Sequence, residues 1–158
     1  MAKPKKPKKI EFVNRKAKFE YHFLDTYEAG LKLQGTEIKA IRTGDVNLSD
    51  AYCTFRKGEL WVKSLYIKEY LYGTYANHES RQDRKLLLKR QELRKLERKV
   101  KEKGFTIIPY RLYLNERGFA KLEIQLAQGK KAYDKRESIK RKDQKRDLDR
   151  VKKQYRIR

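Results

Sequence analysis

Residues 105–127 read FTIIPYRLYLNERGFAKLEIQLA. Two runs rich in β-branched and aromatic side chains flank NERG, a short polar segment that closes on glycine. Such side chains suit a pleated, half-buried surface. The stretch therefore predicts an antiparallel hairpin, with Pro109 at an edge or a bulge because it has no N–H to give to a ladder.

Working outward, more strands come into view. Phe19, Tyr21 and Phe23 alternate with polar residues, as do Ala29, Leu31 and Leu33, which is the period-two pattern of half-buried strands. Residues 51–55 and 60–67 read as two further strands around the turn at Lys57 and Gly58. Between them, GTEIKAIRTGD (residues 35–45) predicts a short helix, capped by Thr36 and stopped by Gly44. A long helix is expected over residues 83–104, with Leu86, Leu93, Leu96 and Val100 on one apolar stripe and Gly104 as its stop. Leu87 falls about 100° off that stripe among arginines and lysines. Several antiparallel strands, one short and one long helix suggest a small β-barrel or a strongly curved sheet with helices against it. An oligonucleotide-binding barrel is one such solution.

The charge is unevenly spread. Of the net +22 on 158 residues, +7 lies on residues 1–18 and +9 on residues 130–158. The middle has ordinary globular composition, while MAKPKKPKK is a solvated, extended arm and the end of the chain a basic tail. The expected organisation is thus a flexible arm (residues 1–12), one folded domain (13–129) and a tail (130–158). A polyanionic partner follows, since lysines and arginines along phosphates release condensed counterions. Leu148, Val151 and Tyr155 share one helical face of the tail, and Glu137 with Arg141 and Asp149 with Lys153 are spaced as ion pairs, so helix is open to this segment. Three apolar side chains do not offset the ordering entropy of the whole tail.

Catalytic patterns are missing. The sequence has no glycine-rich phosphate loop, no nucleophile beside an evident base, and His22, His78 and Cys53 lack metal-ligand spacing, so no metal and no cofactor is expected. Cys53, the only cysteine, reads as a small buried strand residue. With no apolar run near the length of a signal or membrane segment, a cytoplasmic setting is expected and no membrane partner. Glu28, Glu37, Asp45 and Asp50 could hold Mg²⁺ for RNA cleavage, but they stand in no motif, and salt pairing is the plainer role. Basic residues interleaved with aromatics recur instead, in NRKAKFEYHF, RQDRK and GKKAYDKR, a combination that supplies phosphate contacts and flat faces for stacking on RNA.

NRKAKFEYHF, YEAGLKLQGTEIKAIRTGDVNLSDAY, GELWV, RKLLLKRQEL, KGFTIIPYRLYLNERGFAKLEI and GKKAYDKRESIK follow one another in an order and spacing that resemble the SmpB family, the bacterial SsrA-binding proteins. The resemblance implies an oligonucleotide-binding type (OB-type) antiparallel β-barrel with flanking helices and a basic C-terminal tail, disordered in the free protein and helical on the ribosome. It implies a non-enzymatic role in trans-translation: binding the transfer-RNA-like part of transfer-messenger RNA, delivery with elongation factor Tu to stalled ribosomes, and contact with small-subunit ribosomal RNA. Glu28, Leu87 and Lys121 match family positions implicated in transfer-messenger RNA binding. Asn14, Arg15, Lys16, Tyr21, Arg42, Arg84, Lys85, Lys130 and Lys131 lie in matching motifs and are further candidates for that contact. Asp134, Lys135 and Arg136 match an element associated with function on the ribosome after delivery. Phe19 and Tyr133 stand where relatives often carry histidine near the decoding centre, which would preserve stacking but not a histidine's charge. The competing reading from the basic arms alone is a constitutive ribosomal or general RNA-binding protein.

Overall fold

The computed structural model describes residues 9–156, with all side chains in that span except those of Lys103, Ala132 and Tyr133. Of the arm expected over residues 1–12, residues 1–8 lie outside the described residues, while Glu11 and Phe12 are not a loose arm but pair with Tyr113 and Leu112, Phe12 packing on the core. In chain order the elements are β1 (Glu11–Val13), α1 (Arg15–Glu20), β2 (Tyr21–Leu31), α2 (Gly35–Thr43), β3 (Val46–Asn47), β4 (Tyr52–Arg56), β5 (Glu59–Lys63), β6 (Tyr66–Ile67), β7 (Arg84–Leu87), α3 (Arg90–Lys103), β8 (Thr106–Leu114), β9 (Ala120–Gly129) and α4 (Ala132–Arg156). This is a mixed α+β fold built on an antiparallel sheet.

The hairpin of residues 105–127 is its spine. β8 and β9 pair from Thr106 with Ala127 to Leu114 with Ala120, and the register shifts between Pro109 and Arg111, so the proline sits at a bulge. Gly118 has φ +82°, as the turn requires. The seven strands run in the order β1, β8, β4, β5, β7, β2, β9, and β8 also pairs with β9. The ladder that leaves β8 through β4 thus comes back to β8 through β9. β3 and β6 form a separate two-stranded ribbon. Inside lie Ala29, Leu60, Val62, Leu86, Leu112, Leu122 and Ile124, all buried, and Leu96 of α3 packs with them. Each such leucine or isoleucine contributes about 1.5–3 kcal/mol on leaving water. Cys53 is buried in β4, as its strand reading requires.

The long helix expected over residues 83–104 begins later than its apolar spacing suggests. Residues 84–87 form a strand, and α3 starts at Arg90. The reason is an alternation hidden by charge: Arg84 and Leu86 point inward while Leu87 is 51% exposed, and the inward cation is Arg84, only 2% exposed. Its five N–H groups are all taken. Nε donates to Glu37 Oε1 at 2.5 Å, Nη1 to the carbonyls of Leu65 and Gln82 at 2.6 and 3.2 Å, and Nη2 to those of Glu79 and Ser80 at 3.3 and 3.2 Å. Glu37 also accepts from Gln82 Nε2 and from the Gln34 N–H, each at 2.8 Å. A buried charge survives when paired and fully hydrogen-bonded, and this one fastens α2, β7 and the 79–82 loop together.

Other expectations shift for similar local reasons. Gln34, not Thr36, is the N-cap of α2; the Thr36 hydroxyl instead lies 2.9 Å from Nδ1 of buried His78. Gly44 does close α2, at φ +93°, and Gly104 closes α3. The expected strand over 60–67 is two, β5 and β6, with Ser64 between them at φ +58°. Phe19 is not in a strand: it belongs to α1, whose N-cap Asn14 accepts the Ala17 N–H at 3.1 Å.

Replacing Glu37 by Ala leaves the Arg84 guanidinium buried without its counter-charge, and the fold is expected to lose about 3–5 kcal/mol. Arg141→Ala, on the solvated helix α4, should cost less than about 0.5 kcal/mol. Urea unfolding of both variants checks this, and equal midpoints would show that the buried pair does not hold α2 in place.

Candidate nucleic-acid interface

Strand register decides which side chains meet. Gly30 of β2 lies opposite Leu87 of β7 on one side and Lys121 of β9 on the other, and Lys121 lies opposite Tyr113 of β8. One pleat away, Glu28 is opposite Glu123, which is opposite Arg111. Residues two apart share a face, so Glu28, Gly30, Leu87, Tyr113, Arg111 and Lys121 all stand on the outward side of the sheet. The three positions singled out by resemblance, far apart in sequence, are thereby brought together around one glycine.

Their electrostatics are arranged in advance. The Tyr113 hydroxyl donates a short hydrogen bond to Glu28 Oε2, and the Arg111 guanidinium lies 4.7 Å from the Tyr113 ring centroid. Arg111 is itself held by Glu11 and Glu123 at 3.2 and 3.1 Å. Burial, then the bond to the Glu28 carboxylate, pushes the Tyr113 phenol up to about 12. It therefore stays a neutral donor at working pH, and Glu28 is an exposed carboxylate oriented by it. Lys121 has no ion-pair partner among the described residues, whereas Lys85 is bound to Glu59 at 2.6 Å. A donor without an internal partner beside an oriented carboxylate is suited to an incoming polar ligand.

Two open grooves meet at this point. One, of about 660 Å³, runs past Glu28, Gly30, Lys85, Leu87 and Lys121 to Lys89, Glu92 and Leu93 at the start of α3. The other, of about 580 Å³, shares Gly30, Leu87 and Lys121 and continues past Lys32, Ile38 and Arg42 to Arg117 and Phe119 in the hairpin turn. Gly30, Lys89, Arg117 and Phe119 also line these grooves, and the sequence reading passed over them. A glycine inside a strand was the one available signal for Gly30, since it marks a close approach of backbone.

The remaining candidates lie elsewhere. Arg84 is buried and spent on Glu37, and Asn14 is buried, capping α1 while its amide donates to the carbonyls of Leu48 and Pro109 at 3.0 and 3.2 Å. Both are therefore structural, and the RNA contact expected of them has no free donor behind it. Arg15, Lys16, Phe19 and Tyr21 gather at the other end of β2, about 30 Å from Gly30 along the strand. Lys130 joins them there, its N–H donating to the Glu20 carbonyl at 2.9 Å. So does the first turn of α4, where Asp134 lies 3.4 Å from His22 Nε2 and Lys135 and Arg136 follow on the helix. Lys131 is exposed between β9 and α4. The side chain of Tyr133 lies outside the described residues. Beyond this turn α4 is solvated on every side: Ile139, Leu148, Val151 and Tyr155 are all exposed. The expected pair of Glu137 with Arg141 is present at 3.8 Å, joined by Asp143 with Arg146 and Asp147 with Arg150. No described helix is long and apolar enough to cross a membrane.

An outward sheet face with a basic, aromatic-edged groove and a long basic helix defines a nucleic-acid-binding protein. The comparison with known proteins sharpens that class. The family model for SmpB protein matches residues 11–154, and the chain belongs to that family. It is 58% identical over 146 residues to the SsrA-binding protein of Phocaeicola vulgatus, covering 92% of this chain and 97% of that protein. The SsrA-binding protein of Bacteroides thetaiotaomicron is 56% identical over 142 residues, 90% of this chain and 95% of that one. Among solved structures, one described as "tmRNA-SmpB: a journey to the center of the bacterial ribosome" is similar with a TM-score of 0.66 and 48% identity, over 78% of this chain and 86% of that one.

Glu28→Gln keeps a hydrogen-bond acceptor for Tyr113 but removes the negative charge that helps hold the phenol protonated. The Tyr113 ring should then begin to ionise at lower pH than in the parent chain, with burial and the Glu123 charge sustaining what upward shift remains. Carbon-13 NMR of labelled tyrosine against pH reads this directly. An unmoved titration would mean that Glu28 does not hold Tyr113 in solution.

Proposed function

We propose that this chain is a transfer-messenger RNA (SsrA) binding factor of ribosome rescue. It holds the transfer-RNA-like part of that RNA on the groove of Glu28, Leu87 and Lys121 and carries it, with elongation factor Tu, to ribosomes stalled on broken messages. The observation that supports this most is the convergence of those three residues on one outward face around Gly30, in a chain whose relatives are named for binding SsrA. Lys121, Lys85 and Arg42 neutralise phosphates, and Glu28 accepts hydrogen bonds from a base edge. The returning ladder of β8, β4, β5, β7, β2 and β9 supports reading the sheet as an OB-type barrel, an architecture suited to single-stranded nucleic acid. The chain carries no chemistry of its own in this reading, and it works in the cytoplasm.

The second surface takes the ribosome. Phe19, Tyr133, Asp134, Lys135 and Arg136 sit at the junction of body and tail and face the decoding centre, while Arg15, Lys16, Tyr21, Lys130 and Lys131 bridge toward RNA around it. The tail is disordered in the free protein and becomes helical in the emptied messenger path, where ribosomal RNA neutralises its basic residues. What supports conditional order is energetic: α4 buries none of its described large apolar side chains, and surface pairs of this kind supply about 0.2–0.5 kcal/mol each.

Filter-binding competition at fixed salt between transfer-messenger RNA and ordinary transfer RNA should show clear preference for the former; equal affinities would favour a general RNA-binding protein instead. Glu28→Ala, Leu87→Ala and Lys121→Ala should each weaken that binding roughly tenfold with the fold intact. A chain ending at Lys131 should bind the RNA nearly as tightly as the full chain and fail to support tagging on stalled ribosomes. Normal tagging by that truncation would refute the division between body and tail.

A further inference from the structure

The groove does not end at Lys121. Past Gly30 it continues to the turn of the β8 and β9 hairpin, where Phe119 stands 64% exposed. That exposure is not slackness. Asn115 donates its N–H to the Phe119 carbonyl at 2.9 Å, its side-chain oxygen accepts the Phe119 N–H at 2.9 Å, and its carbonyl accepts the Gly118 N–H at 3.0 Å. A phenyl ring on a backbone fixed by three bonds, left largely in water, is a flat face already oriented for a partner.

Its surroundings specify which partner. Arg117 precedes it in the same turn, and the Arg42 guanidinium, from the last turn of α2, comes so close that a Cβ on Gly118 would lie 3.5 Å from its Nη2. Neither arginine has an ion-pair partner among the described residues. Two uncommitted cations beside an exposed aromatic ring match one nucleotide, with phosphate on the arginines and base on the ring. Gly30 matters here as well. A side chain at this position would crowd Leu87, its Cβ coming within 3.3 Å of the Leu87 Cβ, and would stand between the Glu28 half of the groove and the Phe119 half.

We propose that Phe119, with Arg42 and Arg117, forms a second half-site that takes an unstacked nucleotide of the bound RNA, continuous across Gly30 with the half-site at Glu28 and Lys121. This rests on the RNA-binding reading above and adds a ligand class to it: the groove selects a loop with a base turned out, because inside a duplex each base face is covered by its neighbours and an A-form major groove is too narrow to admit the ring.

The test is equilibrium binding of the full chain to a transcript of the transfer-RNA-like part of transfer-messenger RNA across a salt series, with ordinary transfer RNA measured alongside. Phe119→Ala should weaken binding about tenfold without changing the slope of log affinity against log salt, and Phe119→Tyr should restore it. Arg117→Ala should lower that slope by about one. Phe119→Ala within twofold of the parent chain overturns the half-site, and so does a Phe119→Tyr variant as weak as Phe119→Ala. If the parent chain itself fails to prefer the transcript over transfer RNA, the broader reading falls and this inference with it; a selective parent with an indifferent Phe119→Ala removes only the half-site.

Discussion

A guanidinium almost wholly removed from water is the constraint on which the rest depends. Arg84 cannot stay in the interior unless all its donors are met, and they are met by Glu37 from α2 and by four backbone carbonyls, that of Leu65 and three of the 79–82 loop. Once Arg84 is inside, strand alternation leaves no freedom for its neighbours: Lys85 and Leu87 face out and Leu86 faces in. The same network sets α2, and therefore Arg42, against the edge of the groove. Thus one buried ion pair determines which side chains flank Gly30. Hydrophobic residues of similar volume could fill that space at no loss of stability, but they would not need this unique arrangement of α2, β7 and the 79–82 loop.

The outward face then separates two kinds of work. Around Gly30, groups are placed: a carboxylate oriented by Tyr113, Lys121 without an ion-pair partner among the described residues, and an exposed leucine. At the far end of β2 and along α4, charge is dense and unplaced, on solvated side chains held by weak pairs. The first arrangement suits selection of a particular RNA surface, since oriented donors and acceptors lose affinity when mismatched. The second suits salt-dependent attraction to any polyanion and ordering upon contact. His22 beside Asp134 is the joint between the two, tying the first turn of the tail helix to the strand that carries Glu28.

The hairpin, the proline bulge and the glycine stops at Gly44 and Gly104 were legible in the sequence because each rests on local backbone chemistry. The helix expected over residues 83–104 was half right. Its apolar spacing fits both periods, and only a long-range partner, Glu37, reveals that Arg84 belongs inside. Asn14 and Arg84 looked like RNA ligands for the same reason: residue type tells what a side chain can bond, not whether the fold has already bonded it. Leu87 lies off the apolar stripe of the sequence and is exposed in the fold, although the segment is a strand there and not a helix. Phe119 and Arg117 went unnoticed because a turn residue acquires a site only when β2, β9 and α2 close around it.

The central claim is that the sheet face around Gly30, and not the basic tail, holds the RNA. Lysine modification mapped by mass spectrometry on the full chain, with and without the transfer-RNA-like transcript at about 0.15 M salt where distant surface charges are screened, measures this directly. Lys32, Lys85, Lys89 and Lys121 should become protected while Lys140, Lys142, Lys145 and Lys152 stay reactive. Protection confined to the tail lysines, with Lys121 as reactive as in the free chain, would contradict it.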